Sequence, residues 1–524
     1  MPTSLLARLW TTTTLVVVAL FALMTTAFAG TDGADAAVCA APKLKSAPRV
    51  EPALYEKLLP IGLLLVVIFV VLARLPRVEL GHSREFRRRR TLNWLVLGLT
   101  YSFLYMARYN LNQYKYVGGL TESEFGTIFG WGSAVYGVAF LLNGPLTDRW
   151  GGRTTILLAA GGAAVTNVMM GYAVYTKSAL FGTPFTTMLV LYCGNMYFQS
   201  FGAVSIVKVN GSWFHLRERG TFGGIFGILI SLGLFFAYDG GKMITDALPK
   251  QLEWVFFIPA GILVLFFVLC VMFVRDTPST AGLTDFDLGD ASTPDDGVKE
   301  RAVSVIIRML KNPIILTIAF IELCSGFLRQ AILQWGRDFS SGIGLGHSFV
   351  IENWGVVSCI AGITGGMFAG AISDHIFQSR RGPVAAVLYG LMLAGTITIV
   401  PLLVFGGTTA VPWVIAFMSM AIIGVHGMLS GTASADFGGR KNTGVAVGII
   451  DGFVYGGSML QSFIYGAYLP EKLIICADES TRPNPAAKVI DNWMIWPYAM
   501  IPVAVIGSFL ALRVWNARAR PKSG

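Results

Sequence analysis

The sequence predicts an all-α membrane protein built as two six-helix halves in parallel pseudo-repeat, preceded by one or two extra hydrophobic segments. Three observations carry this. Hydrophobic residues make up 54% of the chain and charged residues 13%, with mean hydropathy +0.62. Apolar runs of about 20 residues, the length that crosses a bilayer as a helix, recur between short polar breaks. Lysine and arginine gather in alternate breaks, as loops held on the cytoplasmic side require. The net charge of +10 is therefore read as topology, and no nucleic-acid partner is expected.

Residues 1–29 hold Arg8, the run LVVVALFAL and AFA before Gly30, which fits either a cleavable signal peptide or a signal anchor. Residues 30–54, small and rich in Ala and Pro, read as an extracytoplasmic linker. An extra transmembrane helix is expected within 55–75, and 76–91 form a basic cytoplasmic segment through Arg84 and Arg87 to Arg90. Further spans follow at 92–114, 125–147, 154–175, 186–209, 219–239, 253–274, 312–336, 350–373, 383–406, 411–434, 443–468 and 494–516. A polar cytoplasmic loop, 275–311, rich in Asp, Gly and Pro at its start, divides them into halves at 92–274 and 312–518. A cytoplasmic tail, 519–524, ends the chain.

Cys193, Cys270, Cys324 and Cys359 fall in apolar spans and read as small packing residues. Cys39 and Cys476 lie in outside segments, and sequence leaves open whether they pair. No metal-ligand spacing, nucleophile–base arrangement or phosphate-cradling Gly-rich loop is present, so neither catalytic residues nor a metal or cofactor is assigned.

The repeat locates the site. GPLTDRWGGR (144–153) closes the second span of the first half, and GAISDHIFQSRRG (370–382) closes its counterpart. Arg108, in YSFLYMARYNLNQYK (101–115), and Arg329, in CSGFLRQAILQW (324–335), stand at nearly the same offset and depth. A charge inside a membrane helix is costly and marks function. Two planar, permanently charged guanidinium groups, one from each half, suit a phosphate near mid-membrane. The alternative is that each is paired within its own half, since Glu322 lies seven residues before Arg329, about 20° away on one helix face.

These stretches also carry a resemblance. GPLTDRWGGR resembles the short cytoplasmic loop of the major facilitator superfamily. RDTPSTAGL (275–283), YSFLYMARYN, FQSFG…K…WFHLRERG (198–220), LRQAILQW (328–335) and SDHIFQSRRG (373–382) are similar to segments of its organophosphate:inorganic phosphate antiporters, the glycerol-3-phosphate and hexose-phosphate transporters. The resemblance covers about Leu92 to Arg518 and leaves the first 91 residues unexplained. It implies a monomeric, multi-pass inner-membrane carrier with a cytoplasmic C-terminus, exchanging a phosphorylated organic metabolite for inorganic phosphate by alternating access. A proton-coupled organic-anion carrier and a transporter-like sensor of a phosphorylated ligand are the alternatives.

The substrate-binding candidates are Arg108, Arg329, Tyr101, Tyr105, Asn110, Gln199, Lys208 and Tyr455. Tyr101 and Tyr105 share a helix face with Arg108, and either line the site or pack on the next helix. Lys208 either reaches substrate or snorkels to the inner surface, and Lys115 either draws anions or snorkels outward. Glu322, Asp451 and His426 are candidates for charge pairing or proton coupling; His426 alone also fits a satisfied core histidine. Asp148, Arg149, Arg153, Asp374, Arg380 and Arg381 form the expected conformational latch. Glycerol-3-phosphate transporters carry a lysine where this chain has Tyr109, a histidine at Ile230 and a glutamate at Cys359. A different phosphorylated metabolite is therefore expected.

Overall fold

The structure, a computed structural model, describes residues 61–70, 81–215, 219–286, 302–377, 381–429, 434–475 and 481–516. The expectations for residues 1–29, 30–54 and 519–524, and for Cys39, Cys476 and Arg380, lie outside the described residues.

Twelve helices stand where apolar runs were read. In the first half these are α1 (Arg84–Tyr116), α2 (Glu122–Trp150), α3 (Gly152–Thr176), α4 (Pro184–Trp213), α5 (Arg219–Phe235) and α6 (Trp254–Phe273). In the second they are α7 (Pro313–Gly342), α8 (Trp354–Ala371), α9 (Arg381–Val404), α10 (Val411–His426), α11 (Ser434–Tyr468) and α12 (Ile495–Arg513). Among the described residues, nine helical segments are long and apolar enough to cross a bilayer, and Trp354–Gly370 falls just short in length.

Local chemistry sets the ends. Ser83 caps α1 by accepting from Phe86 N, so the helix starts well before its apolar part. Thr121 and Glu124 form a reciprocal capping box on α2. Thr183 and Asn312 cap α4 and α7, each followed by a proline at the first helical position. Gly151, with φ +84°, makes the sharp corner between α2 and α3. Asp276 of the central loop fills that corner and accepts from Arg153 N at 2.8 Å. The end of the central loop departs from a plain linker, because Ala302–Leu310 is helical. Its Met309 packs with Ile315 and Ile449.

The two halves meet along α2 with α11 and along α5 with α8. Backbone proximity makes the first seam. Gly126 faces Gly466, and Gly137 faces Gly452, with no room between the first pair for a Cβ. Within the second half, Gly326 of α7 abuts Val454 O and Gly457 of α11 abuts Leu323 O.

At the second seam α5 runs into a π-helical turn, Phe236–Gly240, before continuing as Gly241–Ala247. The turn aims Asp239 at the start of α8, where its carboxylate accepts from Gly355 N at 3.0 Å and Val356 N at 2.8 Å. A carboxylate at a helix N-terminus is electrostatically favoured. The helical stretch Ile61–Val70 lies over this seam, with Leu64 buried among Ile228 of α5 and Val356, Cys359 and Ile363 of α8. The long loop between α11 and α12 is not wholly irregular, since Leu473–Ile475 pairs antiparallel with Thr481–Pro483.

Candidate functional site

Arg108 sits deep in α1 with no exposed surface. Its Nε donates to Gln199 Oε1 of α4 at 2.9 Å, one terminal nitrogen to Tyr455 OH of α11 at 2.7 Å, and the other to Tyr136 OH of α2 at 3.0 Å. The guanidinium also lies over the Tyr136 ring at 4.4 Å and the Tyr105 ring at 5.0 Å. Every acceptor is neutral. Among the described residues no carboxylate forms an ion pair with Arg108, so its charge is solvated by hydroxyls and ring faces.

Arg329, in α7 of the other half, is 6% exposed, and its Nε is buried without a hydrogen-bond partner. It forms no ion pair among the described residues, and the Glu322 pairing weighed from the sequence is not made. Glu322 is two turns away, and its Oε2 meets His426 Nδ1 of α10 at 3.0 Å instead. Tyr105, Tyr109 and Tyr455 lie near both guanidinium groups. Gln330 donates to Tyr109 OH at 3.0 Å, holding that ring in place. Asp451, nearly buried in α11, lies near Glu322 and Tyr136.

The other candidates divide. Tyr101 is buried and packs edge-on against Tyr105 at 5.2 Å. Asn110 turns away from Arg108 and donates to Asn167 Oδ1 at 2.8 Å and Val255 O at 3.2 Å, which is packing within the first half. Lys208 lies near the C-terminal end of α4, half-exposed, 2.8 Å from Asp148 Oδ1. Asp148 therefore holds α4 rather than Arg149 or Arg153. Arg153 donates to Val271 O at 2.7 Å, tying α3 to α6. Arg149 is exposed and forms no ion pair among the described residues. Asp374 lies in a second π-helical turn, Ile372–Ile376, and Arg381 opens α9; their side chains are outside what the structure describes.

One cluster escaped the sequence reading. At the end of the seam where α1 ends and α2 begins, Lys115 of α1 and Lys472 after α11 both pair with Asp338 of α7. Glu122 of α2 lies 3.1 Å from Lys115 and 3.6 Å from Lys472. Lys115 neither snorkels nor faces the outer mouth: its side chain is 3% exposed, with Nζ over Phe125 at 4.2 Å and Trp335 at 4.1 Å. Beside them Arg337 donates to Gln113 Oε1 at 3.1 Å and lies over the Tyr116 ring at 3.4 Å. The signal was in the repeat. Lys115 follows Arg108 by about the interval at which Asp338 follows Arg329, so both reach the same depth.

Comparison with known proteins shows the family. The glycerol-3-phosphate transporter of Bacillus subtilis (strain 168) is 26% identical over 401 residues, covering 73% of this chain and 86% of that protein. The membrane sensor protein UhpC of Salmonella typhimurium is 25% identical over 460 residues, covering 84% and 94%. A probable hexose phosphate transport protein of Chlamydia trachomatis is 23% identical over 434 residues, covering 76% and 84%. Among solved structures, a point mutant of the nucleoside transporter NupG matches with TM-score 0.56 and 13% identity, covering 82% of this chain and all of that one. An inward-facing, unoccupied bacterial homolog of the lysosomal transporter Spinster also matches with TM-score 0.56 and 13% identity, covering 83% and 98%. Residues 91–462 match the Major Facilitator Superfamily. The chain belongs to that superfamily as a multi-pass membrane protein, and its curated relatives are consistent with the organophosphate:phosphate antiporters.

Proposed function

We propose that this chain is a secondary transporter that exchanges a phosphorylated organic metabolite for inorganic phosphate. The observation that carries the reading is the pair of buried guanidinium groups, one per half, neither neutralised by a carboxylate among the described residues. A phosphate monoester brings nearly two negative charges and three acceptor oxygens. Placed between Arg108 and Arg329 it relieves their mutual repulsion, which low dielectric makes strong. The orphaned Arg329 Nε gains an acceptor, and the Tyr455 hydroxyl is positioned to turn from Arg108 to the anion.

Loaded closure is thereby easier than empty closure, which is what obligatory exchange needs. Rocking of the two halves about the site supplies the access change, and the ion cluster of Lys115, Glu122, Asp338 and Lys472 is the outer gate in its shut position. Arg108, Arg329, Tyr101, Tyr105, Gln199 and Tyr455 bind or position the substrate. Asn110 serves packing and Lys208 the inner latch with Asp148. The carrier works as a monomer in the inner membrane with its C-terminus cytoplasmic.

Counterflow tests this. Proteoliposomes preloaded with phosphate are expected to take up labelled phosphate, and a panel of sugar phosphates, phosphoglycerates and glycerol 3-phosphate identifies the competing ester. Folded protein that exchanges none of them refutes the reading. A second reading, a sensor of a phosphorylated ligand, is favoured by the similarity to a membrane sensor protein and by the helix Ile61–Val70 lying over the α5–α8 seam. Ligand binding without exchange would select it.

A further inference from the structure

The contact between Glu322 on α7 and His426 on α10 has no task in the exchange reading. Glu322 Oε2 is 3.0 Å from His426 Nδ1. Two bare acceptors would repel at that distance, so a proton lies between them, on one atom or the other. The glutamate side chain is fully buried, and its second oxygen, Oε1, makes no well-formed hydrogen bond, with the buried Ser325 hydroxyl as its neighbour one turn on. The histidine side chain is 21% exposed and the glutamate side chain not at all, so His426 is the outer member of the pair.

The surrounding groups are unevenly charged. On α7 itself are Arg329 and Cys324, on α9 Tyr389, and on α11 Asp451 and Tyr455. From the other half, Tyr105 and Tyr109 of α1 face Arg329, and Tyr136 of α2 faces Asp451. Among the described residues the fixed cations of this group are Arg329 and, through its bonds to Tyr455 and Tyr136, Arg108, beside two carboxylates and an imidazole.

We infer that the Glu322–His426 pair is a proton-binding site coupled to the anion held at Arg329, so that the substrate anion travels with a proton. The inference rests on the anion site of the exchange reading and adds a second cargo to it. Arg329 lies two turns along α7 from Glu322, about 10 Å of helix rise. Empty, its positive field disfavours an extra proton on the pair. A dianion at the guanidinium cancels that field and replaces it with a negative one, so proton affinity rises. Linkage makes the effect reciprocal: a proton on the pair tightens the anion. The proton enters through His426, the partly exposed member, adds to a free nitrogen or oxygen of the pair, and leaves to water on the far side when the anion does. Only N–H or O–H bonds form and break.

The test is calorimetric titration of the purified full chain with inorganic phosphate at mildly alkaline pH, in two buffers of different ionisation enthalpy. Wild-type protein is expected to take up about one proton per phosphate bound, with affinity falling as pH rises by up to tenfold per pH unit. Glu322→Gln and His426→Asn are each expected to bind phosphate with that uptake abolished. Binding without proton uptake in the wild type overturns the coupling and leaves the anion site standing. Uptake that persists in both variants places the proton on phosphate and also overturns it. No phosphate binding sinks the anion site and the coupling together. Should either variant fail to fold, infrared difference spectra of the wild type decide: phosphate must change a buried carboxyl band, and an unchanged carboxyl region overturns the coupling.

Discussion

Lys115 of α1 and Asp338 of α7 form a buried ion pair across the two halves, and Lys472 shares the same carboxylate. Two cations on one carboxylate are tolerable because Glu122 supplies the second negative charge. Removing one partner of such a set leaves uncompensated buried charge, at a cost of about 3–5 kcal/mol. Asp338→Asn leaves Lys115 and Lys472 facing one another and should bias the molecule toward an open outer end. A cysteine placed at Ser133, which is buried against Ser458 between α2 and α11, is expected to react much faster with an impermeant thiol reagent in that background. Unchanged labelling would show that the cluster is not a gate.

The anion clamp makes a sharper demand. Arg108 uses all three guanidinium nitrogens on three different helices, a fork that a lysine ammonium cannot reproduce. Arg108→Lys and Arg329→Lys each keep the charge and lose the planar grip. With hydrogen bonds to charged groups worth about 1.5–3 kcal/mol, each variant should weaken phosphate binding by about tenfold to a hundredfold and slow counterflow to match. Near-normal exchange in both would remove the clamp.

Close approach of α7 and α11 can be tested by adding one carbon. A Cβ at Gly457 would run into Leu323 O, whereas one at Gly456 would come no nearer than 4.0 Å to Leu323 Cδ1. Overpacking a tight contact costs about 1–3 kcal/mol. Gly457→Ala should therefore lower the thermal midpoint of the detergent-solubilised protein, and Gly456→Ala should leave it unchanged.

What was legible in the sequence follows from the same physics. A bilayer imposes a length on apolar runs, so the twelve helices could be placed, but hydropathy marks only their lipid-embedded part. Helical hydrogen bonding continues outside it, which is why α1 starts at Arg84 rather than near Leu92 and α7 runs to Gly342. Arg108 and Arg329 stood out because charge in a helix is expensive. Their surroundings did not. Glu322 shares a helix face with Arg329, but pairing depends on what the neighbouring helix presents, and His426 is 104 residues away. Lys115 misled for the same reason: near a helix end snorkelling is the usual outcome, and only the apposition of α7 makes burial with Asp338 better.

The proposed gate should also respond to pH, through groups beyond the helix ends. Glu471 accepts from Glu122 N at 2.6 Å and Ser123 N at 2.9 Å, docking the second half onto the start of α2. Burial lifts its carboxyl above the usual 4.5, nearby Glu122 and Glu124 add to the rise, and the two N–H donors only partly oppose it. The closed form therefore holds the Glu471 proton more tightly than an open, solvated form. That contribution to closure is greatest below the ordinary glutamate value and is lost as pH rises through the raised one.

Lys472 acts at the other extreme. Burial alone would lower its pKa, but Asp338 and Glu122 outweigh burial and hold it above the usual 10.5. Its contribution to closure is complete below the ordinary lysine value and is lost as pH rises through the raised one. Spin labels at the exposed positions Val117 and Lys488 should report the consequence as a change in distance distribution. Separation is expected to increase in two steps, one in mild acid and one in alkali, with a plateau between. Glu471→Gln should abolish the acid step and spare the alkaline one, and Lys472→Met should do the reverse. A distribution that does not move in either window would mean that neither group is linked to closure.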